Sequence, residues 1–150
     1  MGLRQQLTEA MKAALKARET NRLSAIRLIL AGIQERDVAA RTQDISEDEI
    51  LSLLAKMVKQ REESAATYEG AGRPELAAKE RDEIAVIREF QPKQMGADEA
   101  KAAVQKLVSE LGAASIKDMG KVMAALKERY AGQMDFGKAS GMVKEALTPK

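Results

Sequence analysis

The chain contains no cysteine and no histidine. Those two absences exclude thiol nucleophiles, imidazole bases, Ser-His-Asp relays, iron–sulfur clusters and the common zinc sites. Disulfides are excluded too, so packing and polar pairing must hold the fold. Zero cysteine fits a reducing compartment. Tryptophan is absent, and Tyr and Phe contribute only two residues each. No apolar run approaches the ~20 residues that a membrane span requires. The start, Met1-Gly2-Leu3-Arg4, runs straight into polar residues, so no secretory signal and no membrane association are expected. A cytoplasmic protein is the expectation.

What is present points to helices. Of the 67 hydrophobic residues among 150, 26 are alanine, the best helix former. Aromatics, which favour strands, are nearly missing. Large apolar side chains are therefore few, and the cores must be thin and closely packed. Leu3, Leu7, Met11 and Leu15 recur every four positions and mark a first helix. Leu23, Ile26, Ile29, Leu30 and Ile33 mark a second, with Thr20 or Asn21 as its cap and the polar run from Asp37 to Asp44 as its end. Ser46 and Glu49 have capping-box spacing, with Ile45 and Ile50 at the positions of a hydrophobic staple. A third helix follows through Leu53, Leu54, Met57, Val58, Arg61, Ala65 and Tyr68. Gly70 and Gly72 suit its end, and Pro74 suits the first turn of a fourth helix carrying Leu76, Ile84, Ile87 and Phe90. Helices three and four read as an antiparallel hairpin.

Pro92 and Gly96 break the pattern and predict a boundary. Beyond it, a fifth helix starts near Asp98, a sixth near Ser115 and a seventh near Asp135, and no window alternates as a strand would. The expected fold class is all-α: an N-terminal four-helix domain over residues 1–91, followed by a small three-helix C-terminal domain over residues 92–150. Residues 1–91 carry 15 basic and 16 acidic residues, while residues 92–150 carry 10 and 7. Any attraction for a polyanion is therefore expected in the C-terminal part.

No complete active site is legible. There is no phosphate loop and no dinucleotide fingerprint. The carboxylates Asp37, Asp44, Glu47, Asp48, Glu49, Glu62 and Glu63 fall on polar helix faces, where solvation or capping is the default reading. No cofactor or metal is implied. Arg61 interrupts an apolar stripe, so its stem is expected to pack on the core while its head pairs with Glu80 or Glu83. Lys117 and Lys121 are one turn apart on one face, whereas Lys138 and Lys144 do not share a face. Tyr130 and Phe136 fit apolar stripes and are read as core. Gly120 lies inside a helix at a cost of about 1 kcal/mol relative to Ala. Close approach of another helix or of a ligand backbone would compensate, and close helix packing is the expected reason.

The order of several short segments is more specific than any one of them. These include Ala10-Met11-Lys12, Leu23-Ser24-Ala25-Ile26-Arg27, Ser46-Glu47-Asp48-Glu49 and Lys59-Gln60-Arg61-Glu62-Glu63-Ser64. They continue with Ala71-Gly72-Arg73, Phe90-Gln91-Pro92-Lys93-Gln94-Met95 and Lys117-Asp118-Met119-Gly120-Lys121-Val122-Met123. Along nearly its whole length the chain resembles the GatB/YqeY family, specifically its free-standing YqeY-like members. One departure is Gln133, where family members often carry an arginine before an Asp-Gly pair.

The resemblance implies that the C-terminal part is similar to the tail of the B subunit of tRNA-dependent amidotransferases, which helps hold tRNA. By family label the activity would be that of a carbon–nitrogen ligase using glutamine as amide donor. The residues argue against catalysis by this chain alone, since that chemistry needs a nucleophile for glutamine and a nucleotide site. The expectation is a non-catalytic module that binds tRNA through Lys117, Lys121, Lys138 and Lys144, or serves an aminoacyl-tRNA-processing enzyme. A protein–protein adaptor in translation without RNA contact is the alternative. A monomer is expected, since no coiled-coil seam is present.

Overall fold

The computed structural model describes residues 2–148. Among them are seven α-helices and no strand: α1 (Leu3–Lys16), α2 (Thr20–Ala39), α3 (Glu47–Gly70), α4 (Pro74–Arg88), α5 (Ala97–Leu111), α6 (Met119–Arg129) and α7 (Phe136–Leu147). A 3-10 turn, Ile116–Asp118, leads into α6. The contacts divide the chain into two compact units, Met1–Gln91 and Pro92–Lys150.

In the first unit α2 is the central helix, packed against α1, α3 and α4. Leu7, Ile26, Ile29, Ile33, Leu54 and Ile87 are fully buried at its core. Each such side chain contributes roughly 1.5–3 kcal/mol through burial. Gly32 permits a close approach of α2 and α3: a Cβ there would lie 3.3 Å from Leu53 Cδ2. Ser46 caps α3 by accepting from the Glu49 N–H at 3.2 Å, and both staple residues, Ile45 and Ile50, are buried.

Three sequence expectations need correction here. The cap of α2 is Glu19, with no side-chain bond to the helix, and Thr20 is already helical. Leu15 is 58% exposed. A spacing of four residues drifts 40° per step at 100° per residue, so the stripe begun at Leu3 has rotated outward by Leu15. Ala14 takes the buried position instead. Asp37 does not begin a solvated run. It sits in the last turn of α2 and is buried.

The burial of Asp37 is compensated by full hydrogen bonding. Arg4 donates both terminal nitrogens to its carboxylate at 3.0 Å each, and the Ile45 N–H donates at 2.8 Å. Arg4 Nε also pairs with Asp44 at 3.3 Å, and the Leu3 N–H donates to Glu47 Oε1 at 2.9 Å. These bonds tie the start of α1 to the end of α2 and the start of α3.

The α3–α4 hairpin carries a different kind of fastening. Between residues 59 and 83 the only buried side chains are Ala65 and Ala77. Arginine–carboxylate pairs cross between the helices instead: Arg88 with Glu62 at 2.8 Å, Arg61 with Glu83 at 2.8 Å, and Arg81 with Glu69. Of the two partners expected for Arg61, Glu83 is the one it meets, and Arg61 also donates to the Met57 carbonyl at 3.2 Å.

Two stability predictions follow from these contacts. The hydrogen bonds from Arg4, followed by that from Ile45, hold the Asp37 carboxyl below its ordinary range, against the opposing effect of burial. A depressed folded pKa gives stability that is present above the unfolded value, near 4, and is lost as pH falls through the folded one. The difference in thermal midpoint between the wild type and Asp37→Asn is therefore expected to be widest near neutrality and to close below about pH 4. A difference unchanged in strong acid would rule out the carboxylate charge as its source. Arg61→Ala is expected to cost about 1–2 kcal/mol in urea unfolding, and less than additively with Glu83→Ala. Simple additivity would show the pair to be uncoupled.

Candidate nucleic-acid interface

The second unit is a three-helix arrangement in which α5, α6 and α7 all contact one another. Val104, Leu107, Val122, Leu126, Val143 and Leu147 form its centre, with Met134 buried beside them. Met119, Met123 and Met142 are partly buried against this core, as are Tyr130 and Phe136. The methionines fill gaps that the small side chains leave. Gly112 ends α5 with φ 62°, a left-handed conformation that costs glycine little. The segment entering α5 is pinned to the α6–α7 loop: Met95 N–H donates to the Gln133 carbonyl at 2.8 Å, and Gln94 Nε2 to that of Gly132 at 2.6 Å.

Two acidic residues in this unit serve as local fastenings. Asp118 Oδ2 accepts from the Ala114 and Ser115 N–H groups at 3.0 and 3.4 Å, and completes a capping box with Ser115. Those two N–H groups hold its carboxyl below the ordinary range, helped by the nearby charge of Lys121. Asp135 caps α7 by accepting from the Gly137 and Lys138 N–H groups at 2.8 and 3.4 Å.

The basic residues of the unit are mostly unengaged. Arg129 pairs with Glu110 at 2.6 Å. Among the described residues, Lys93, Lys101, Lys106, Lys117, Lys121, Lys127, Lys138 and Lys144 have no carboxylate within 4.0 Å, although longer-range fields such as that between Lys121 and Asp118 remain. All four lysines singled out from the sequence are exposed. Lys117 lies in the 3-10 turn and Lys121 in the first turn of α6, on the face that looks away from Val122 and Leu126. Lys138 and Lys144 belong to α7, about 120° apart around its axis at 100° per residue. Lys138 stands in the first turn, where the helix dipole disfavours a cation.

Sequence reasoning assigned Gly120 to close packing, and the structure overturns that. No heavy atom outside its own helix turn lies within 4 Å of where a Cβ would be, and its φ is not positive. Sequence reasoning also passed over Ile116, which is 47% exposed. It stands three residues before the apolar Met119, so on an α-helix it would lie near the same stripe. Its side chain nevertheless faces solvent, while Met119 is partly buried against the core.

The remaining surface features are simpler. A shallow, open groove along α3 is lined by Gln60, Glu63, Ser64, Thr67 and Tyr68. Among the described residues no cluster of three carboxylates could hold a metal ion, and no helix is long and apolar enough to cross a membrane.

The family model described as Yqey-like protein matches residues 4–147. "Altered inheritance of mitochondria protein 41, mitochondrial" from Lachancea thermotolerans is 30% identical over 107 residues, covering 70% of this chain and 57% of that protein. Its namesake from Kluyveromyces lactis is 28% identical over 85 residues, covering 57% of this chain and 46% of that protein. The Saccharomyces cerevisiae protein of that name is 26% identical over 80 residues, or 53% and 43% respectively. The chain thus spans about half the length of the curated relatives it matches.

Replacing Lys117, Lys121 or Lys144 singly by alanine should leave unfolding within about 0.5 kcal/mol of wild type. Lys138→Ala should stabilise by about 0.3 kcal/mol, since it removes a cation from a helix start. Chemical denaturation checks both, and a large loss at any of the four positions would mean that the lysine has a structural role.

Proposed function

The chain belongs to the YqeY-like family, and on that premise we propose that it is a non-catalytic tRNA-binding module, accessory to tRNA-dependent amidation. Its second unit docks on the phosphate backbone of folded tRNA through Lys117, Lys121, Lys138 and Lys144. The observation that carries this reading is the set of exposed lysines left without carboxylate partners beside a core that needs none of them. An ammonium free of internal pairing can release counterions from phosphate without first breaking a bond in the protein. Recognition is by shape and backbone, since Tyr130 and Phe136 are occupied in the core.

Catalysis is assigned elsewhere. Amide transfer from glutamine requires a nucleophile and a nucleotide site, and the chain has no cysteine and no phosphate loop. On this reading the module acts beside an aminoacyl-tRNA-processing enzyme. Exposed Leu15, Leu28 and Val38 in the first unit favour a second reading, a protein–protein adaptor that makes no RNA contact.

Titration with tRNA at increasing salt separates the two. Affinity should fall linearly on a logarithmic scale, and Lys121→Ala should weaken binding and lower the slope by about 1. Absence of binding, or affinity indifferent to salt, would remove the RNA reading. Capture of a translation protein that survives nuclease would then support the adaptor. Product from mischarged tRNA, glutamine and ATP with the isolated chain would refute the non-catalytic assignment.

A further inference from the structure

We propose that the outer face of α2 is a self-association surface, on which a second copy of the chain packs antiparallel about a two-fold axis at Ala31. The inference is independent of the RNA-binding reading. α2 turns its buried residues, Ile26, Ile29 and Ile33 among them, toward α1, α3 and α4. On the opposite side Ser24, Leu28, Ala31, Glu35 and Val38 are all exposed. Steps of four and three alternate along this set, an average of about 3.5 residues, which keeps the five on one strip about 21 Å long. Of the three exposed large hydrophobic side chains described in the first unit, two lie on it, Leu28 at 45% and Val38 at 72% exposure.

The charges say what covers the strip. Arg27, exposed at its edge, and Glu35 stand four residues to either side of Ala31, and Ser24 and Val38 stand seven. Arg27 and Glu35 are about 12 Å apart along the helix axis, too far to pair with each other. Neither has an opposite charge within 4.0 Å among the described residues. An antiparallel copy crossing at Ala31 sets Arg27 of each chain level with Glu35 of the other, so both pairs form between chains, as a two-fold contact requires. A parallel copy would set like charge against like, which is costly.

The side chains at the remaining positions suit that crossing. Ala31 is small and lets two helices come close where they cross, and Ser24 leaves room for Val38 of the second copy. The strip carries one charge of each sign, so two copies do not repel. Its area falls well short of the ~1,600 Å² of a standard interface, so association is weak and concentration-dependent. The monomer expected from the sequence rested on the lack of a sustained seam, and the one exposed here is short.

Sedimentation velocity of the full chain without nucleic acid, from micromolar to millimolar concentration, tests the proposal. The wild type should pass from monomer to dimer as concentration rises. Arg27→Glu and Glu35→Arg should each weaken the dimer about tenfold. The double variant, which restores both pairs with the charges exchanged, should recover it. Both positions are exposed, so thermal midpoints should stay near that of the dilute wild type. A wild type that is monomeric throughout would overturn the proposal and leave the face to a different protein. So would single variants that dimerise like wild type, or a double variant no tighter than the single ones. None of these results bears on tRNA titration, so the two readings fail separately.

Discussion

The interior of this protein is built from few large side chains, and that scarcity governs where charge is used. Alanine accounts for 26 of its 67 hydrophobic residues, and four are aromatic. Where Leu and Ile gather, as around Ile26, Ile29 and Leu54, packing alone holds the helices. Where they run out, in the outer half of the α3–α4 hairpin, arginine–carboxylate pairs cross between the helices over a seam closed by Ala65 and Ala77. The bonds around Asp37 add to the packing of Leu3, Ile33, Ile45 and Ile50 where the start of α1, the end of α2 and the start of α3 meet. Exposed pairs of this kind contribute little each, so register and orientation are their main effect.

The ion-paired cations are nearly all arginines, although Arg18, Arg27, Arg36 and Arg41 have no carboxylate within 4.0 Å among the described residues. In the first unit the paired cations are Arg4, Arg22, Arg61, Arg73, Arg81 and Arg88, with Lys12 the exception. In the second, the unpaired cations on the surface are lysines. A guanidinium is a planar fork that fits a carboxylate, while an ammonium is a hydrated point charge on a mobile stem. The former suits internal fastening, the latter an extended anionic surface. A net charge of only +2 conceals this division, which matters more to the functional reading than the total does.

Much of the architecture was legible because helical periodicity and capping are local. Ser46, Ile45 and Ile50 announced the start of α3, and Asp135 the start of α7. Arg61 was legible as a cation on an apolar stripe that needed a carboxylate across the hairpin. Leu15 was misread because a four-residue repeat is not the helical period. Gly120 was misread because a glycine in a helix need not mark a close approach, and a Cβ there would meet open space.

By itself the sequence determined the helices, their breaks, the excess of basic residues beyond Pro92 and the absence of cysteine and histidine, since each depends on residue type and short spacing. Tertiary structure alone decided that Asp37 is buried, because its partners Arg4 and Ile45 come from the first helix and a later loop. It alone decided that Ile116 faces outward, because the burial of an apolar side chain depends on what the rest of the unit packs against it. It alone decided which lysines stay free, because a charge is unpaired only relative to what folding brings within reach.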